Sequence, residues 1–184
     1  MSFLTQRILS HTLLFLKSVS LAVSPLVHIE GVNVAAINLT TIFYMEISKD
    51  FSYGGESHDF REMLYINKGE MIYTAGKKQF ILKSGEMTFH KPDEYHNLSG
   101  NGKNSSNISV LNFDCFGDEM DYFEGEIFRL NAEEKTLPAM LFGEGIVALA
   151  KENESDPLSQ SMKVRSDAPF GFSQMIKNLL GIFL

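Results

Sequence analysis

Between residue 26 and about residue 116, short apolar runs alternate with polar positions and are cut by turn-forming residues. The pattern predicts strands over residues 32–38, 40–48, 59–68, 70–75, 78–83, 86–90, 95–99 and 107–115. The breaks between them are Gly54-Gly55, Asn67-Lys68-Gly69, Ala75-Gly76-Lys77, Lys83-Ser84-Gly85, Lys91-Pro92-Asp93 and Ser99-Gly100-Asn101-Gly102. Turn chemistry recurring every ~8–12 residues marks an all-β sandwich or barrel. Residues 127–130 allow one more strand. Beyond them the period changes. Asn131 suits a helix N-cap, with Glu134 as its capping-box partner. Leu141, Ile146, Val147, Leu149 and Ala150 would give that helix its apolar side. Residues 152–168 are polar, contain Pro157, and predict a loop. A second helix is expected from Pro169 to Leu184, where Phe172, Met175, Ile176, Leu179, Leu180 and Phe183 recur at helical spacing. The expected fold class is mainly β: an antiparallel barrel followed by two α-helices.

Composition narrows the function classes. The chain has 184 residues, 44% of them hydrophobic and 21% charged, enough for a packed core. A net charge of −7 makes this stretch a poor neutraliser of phosphates, so it is not expected to grip nucleic acid by itself. Its one cysteine, Cys115, excludes an internal disulfide framework and fits a buried, inert thiol. Residues 1–27 read as an N-terminal extension that forms a helix or stays loose. The run Ile8 to Leu16 after Arg7 has the look of a signal-peptide core, but His11 and Lys17 interrupt it. No uninterrupted run of about 18 apolar residues is present, so a membrane span is not expected. The expected location is cytoplasmic.

Candidate chemistry concentrates between residues 55 and 100. Glu56, His58 and Glu62 share the strand parity of Phe60, Leu64 and Ile66, which places them on an inward face. Acids and an imidazole on that face need a cation, a hydroxyl-rich ligand, or one another to be satisfied. About 30 residues on, His96 follows the proline turn at Pro92 and offers a second contribution. His90 is expected to point outward. For Glu56, His58, Glu62 and His96 three readings stay open. One is a divalent metal site, with imidazole and carboxylate ligands suiting Zn, Ni, Fe or Mn. Another is direct contact with a small effector. The third is a hydrogen-bonded His–Glu pair at a solvated barrel mouth.

His58-x-x-x-Glu62 leading to Gly69, followed by Gly85, Pro92 and His96, resembles the paired motifs of the cupin superfamily. Glu56 stands where that family usually has histidine, and His96 arrives one residue early. More narrowly, Glu56-x-His58, the run Glu62 to Glu70, and Gly85-Glu86-x-x-Phe89-x-x-Pro92-x-x-x-His96 are similar to the N-terminal effector domain of AraC-type transcription regulators. The resemblance implies a cupin-like jelly-roll barrel over residues 28–130, a helical dimerisation appendage over 131–184, and a small-molecule effector, carbohydrate among the candidates. It implies a homodimer through the C-terminal helices and no enzymatic activity. It also implies a DNA-binding domain after Leu184, where the chain stops on an apolar helical pattern. The rival expectation is a stand-alone metal-dependent cupin enzyme, an isomerase or oxygenase, in which the metal polarises a carbonyl or holds oxygen.

Overall fold

The computed structural model describes residues 38–115, 118–152 and 162–183. The expected N-terminal extension, and the expected strand over 32–38 apart from its last residue, lie outside these. The strands in chain order are β1 (Asn38–Ile47), β2 (Arg61–Lys68), β3 (Glu70–Ala75), β4 (Lys78–Lys83), β5 (Glu86–His90), β6 (His96–Gly100), β7 (Ser106–Asp114), β8 (Ile127–Arg129), β9 (Leu149–Lys151) and β10 (Met162–Val164). Two helices, α1 (Thr136–Ala148) and α2 (Phe172–Phe183), follow the barrel strands. One antiparallel sheet has the order β1-β7-β2-β5-β8 and a second the order β4-β3-β6. The segment around Ser52 and Glu56 lies along β6 through single bridges to Ser99 and His96. Counting it, the barrel strands form two facing sheets with the jelly-roll connections that the resemblance implies.

The layers follow from strand alternation. Inward-facing Ile47, Leu64, Ile66, Ile108 and Val110 of the larger sheet pack on Met71, Tyr73, Ala75 and Leu82 of the smaller one. The opposite face of the larger sheet carries Ile42, Met63, Tyr65, Met87, Phe89, Leu111 and Phe113, and these pack beneath the helices. The central strands β2 and β7 are thus apolar on both faces. Gly69, at φ +83°, makes the β2–β3 turn, where an added side chain would collide with Ser106.

The helices differ in detail from expectation. Asn131 and Glu134 do form the reciprocal cap: Asn131 Oδ1 accepts from the Glu134 amide at 3.0 Å and Glu134 Oε2 from the Asn131 amide at 2.7 Å. A turn intervenes, however, and the regular helix starts at Thr136. Its buried side is Pro138, Leu141, Phe142, Gly145 and Ala148, whereas Ile146 and Val147 are about half exposed. Leu149 and Ala150 leave the helix for β9, which pairs with β10, so part of the expected loop is a small hairpin. Gly145 lets the helix sit directly on Ile42 of β1, in the space a β-carbon would take. In α2, Ile176, Leu179 and Leu180 are buried in the helix-side core, while Met175 and Ile182 remain exposed. Among the described residues, no helix is long and apolar enough to cross a membrane.

Candidate functional site

Polar residues on the inner face of the larger sheet include one continuous row. Register places Glu62 of β2 opposite His90 of β5 on one side and Asn112 of β7 on the other. Asn112 in turn faces Thr41 of β1. The row Thr41–Asn112–Glu62–His90 therefore crosses four strands inside the barrel, and none of its members is more than 4% exposed. The facing wall supplies the rest. Glu56 and His96 exchange both backbone hydrogen bonds at 2.9 Å, an antiparallel pair that sets their side chains on one face. His58 precedes β2, outside any regular strand. Its carbonyl accepts from the Asp93 amide at 2.7 Å, which ties the His58 segment to the turn before His96. That turn needs Asp93 in the left-handed region, at φ 62°.

These elements bring Glu56, His58, Glu62 and His96 together, one donor atom from each lying within 4.8 Å of the others. His58 Nε2 is 3.8 Å from Glu62 Oε2, and His96 Nε2 is 3.9 Å from Glu62 Oε1 and 3.8 Å from Glu56 Oε1. These separations exceed a hydrogen bond of roughly 2.7–3.2 Å. They fall near the spacing of donors that share one cation at ~2.0–2.2 Å each. The tautomers follow from the outer nitrogens. His58 Nδ1 bonds the Phe60 carbonyl at 2.9 Å and His96 Nδ1 the Glu94 carbonyl at 3.0 Å. A carbonyl only accepts, so each Nδ1 carries the proton and each Nε2 turns a lone pair inward. Neither Nε2 has a hydrogen-bond partner among the described residues. Such a donor set suits a divalent transition metal.

Electrostatics differ around the ring. Burial opposes the charged form of His58, but the nearby Glu62 and Glu56 carboxylates and the Phe60 carbonyl outweigh that, and its pKa is raised. Burial drives the pKa of His90 down to about 2, helped by the neighbouring imidazoles of His96 and His58. Burial and the adjacent Glu56 push the Tyr53 phenol up to about 12.

His90 corrects an expectation. It faces inward and is 1% exposed, with its Nε2 3.8 Å from Glu62 Oε1. Met87 and Phe89 claim the core by parity, which would leave His90 for solvent on a one-sided strand. Here β5 is buried on both faces, so His90 enters the barrel while Phe89 packs beneath the helices. Asn112 escaped the sequence for the same reason, since β7 is buried on both faces, whereas Thr41 lies in β1, whose outer face is open at Tyr44 and Glu46. Their parity relative to Phe43 and Val110 was the available signal.

The described site falls inside a longer match. A family model described as the AraC-like ligand binding domain matches residues 42–162. No curated protein matches the chain. Among solved structures, a predicted oxalate decarboxylase from Thermotoga maritima is similar at 21% identity and a TM-score of 0.38 over 41% of this chain. The chain spans 65% of that protein's length. Hydroxypropylphosphonic acid epoxidase from S. wedmorenis is similar at 20% identity and a TM-score of 0.35, over 39% of this chain and 42% of its own. A cupin superfamily protein from Desulfitobacterium hafniense is similar at 11% identity and a TM-score of 0.38, over 45% of this chain and 82% of its own. Matched over residues 42–162, which hold Glu56, His58, Glu62 and His96, the chain belongs to the AraC-like ligand binding domain family.

Proposed function

We propose that this chain is the effector-sensing and dimerisation part of a cytoplasmic AraC-type transcription regulator, with DNA contact made by a segment outside it. We further propose that Glu56, His58, Glu62 and His96 hold a divalent transition metal inside the barrel. The observation that carries this reading is the pair of inward Nε2 lone pairs, each fixed by a carbonyl behind it, converging with two carboxylates. When bound, the metal supplies a Lewis-acidic centre for an oxygen-bearing effector. Beside it, Thr41 Oγ1 and both amide atoms of Asn112 are buried without hydrogen-bond partners among the described residues. A small hydroxyl-rich effector, such as a carbohydrate, satisfies such groups.

The same strand offers a route outward. Thr41 faces the site, and the next residue, Ile42, faces α1 at Gly145. An effector that binds one position of β1 better than another biases the helices accordingly. Exposed Met175 and Ile182 on α2, with Phe170 just before it, give a second copy an apolar face to cover.

The test is elemental analysis of the purified chain, expected to return about one ion per chain after loading with zinc or nickel. His58→Ala and His96→Ala should each abolish occupancy. Unchanged occupancy in both variants overturns the site assignment.

A further inference from the structure

We infer that His90 is a further metal ligand, so that three imidazoles rather than two face the ion; this rests on the metal reading above. His90 lies outside the four donors grouped within 4.8 Å, yet its Nε2 is 3.8 Å from the Glu62 carboxylate and its ring centroid 4.0 Å from that of His96. It is 1% exposed, and its Nε2 has no hydrogen-bond partner among the described residues. A buried imidazole nitrogen aimed at a ring of metal-binding donors is costly unless something occupies the ring.

The tautomer decides whether His90 can ligate. His90 Nδ1 is 2.9 Å from the Tyr73 hydroxyl, which can either give or take the proton. With the hydroxyl as acceptor, Nδ1 carries the proton and Nε2 turns its lone pair inward, as in His58 and His96. Behind each inward Nε2 stands an acceptor that holds the ring in place, the arrangement found behind metal-bound imidazoles. Three imidazoles with carboxylates favour zinc, nickel, cobalt or iron over magnesium and calcium.

X-ray absorption of the zinc-loaded full chain counts imidazoles directly and needs no variant. Three are expected. Two would overturn the role of His90 while leaving the site of His58 and His96 standing, and a chain that takes up no zinc would remove the metal reading itself. In competition titrations against a chelator, Tyr73→Phe should weaken zinc about tenfold, and His90→Gln should weaken it further. His90→Gln should also change the visible absorption of the cobalt-loaded protein. A folded His90→Gln variant, checked by circular dichroism, with wild-type affinity and an unaltered cobalt spectrum would also overturn the proposal.

Discussion

Two histidines across one carboxylate respond to acid in opposite ways. His58 has a raised pKa, so the stability it adds is fully present below the unfolded value of about 6.5 and fades as pH rises through its folded value. His90 is held down to about 2, so below about pH 6.5 the unfolded chain takes up a proton that the native chain refuses. In that window the His58 contribution is constant, and His90 sets the slope, at most about 1.4 kcal/mol per pH unit. Urea unfolding of the metal-stripped chain at pH 7, 6 and 5 should show wild type losing stability faster than His90→Gln. Parallel curves would refute this, since Glu62, His58 and His96 face His90 in both proteins. Asn112 gives a second test at this scale. It is fully buried with both amide atoms unpartnered among the described residues, so Asn112→Leu should hold or raise the melting temperature. The same variant should lose whatever thermal shift a hydroxylated effector gives the parent. A variant that melts well below wild type would mean that the amide is satisfied within the fold.

At the scale of elements, α1 sits directly on β1. A side chain at Gly145 meets three carbon atoms of Ile42, so Gly145→Val should cost about 1–3 kcal/mol of stability. Pairing it with Ile42→Ala should recover part of that loss in chemical denaturation, and a purely additive double variant would deny the contact. The sequence showed that a helix lies here but misjudged its face. Ile146 and Val147 are the more apolar residues, yet Gly145 and Ala148 are turned inward because the sheet comes too close for larger ones. The β-strands were easier to read, since Gly69, Gly85 and the Lys91-Pro92 turn mark their ends whatever they pack against. His90 and Asn112 were hidden because alternation identifies a face only when the other face is wet.

For the molecule as a whole, the succession of barrel strands followed from turn spacing, while the assembly did not. Apolar residues of α2 divide between the protomer core and the outside, and a helical stripe does not say which is which. If the exposed part joins two copies, Met175→Lys with Ile182→Lys should halve the mass seen in analytical ultracentrifugation and leave melting unchanged. A wild-type chain that sediments as a monomer at micromolar concentration would exclude the helical dimer.

Glu56 is fixed to the barrel differently from the other acids and imidazoles around it. Glu62 and His90 belong to central ladders, whereas the backbone beside Glu56 meets β6 at two isolated bridges. That segment is joined by a few separate bonds, Tyr53 to Leu98, Gly100 to Phe51 and the Glu56–His96 pair, so it opens with less work than a regular ladder. Opening of that segment ahead of the ladders would take Glu56 from the other three donors and leave the central strands paired.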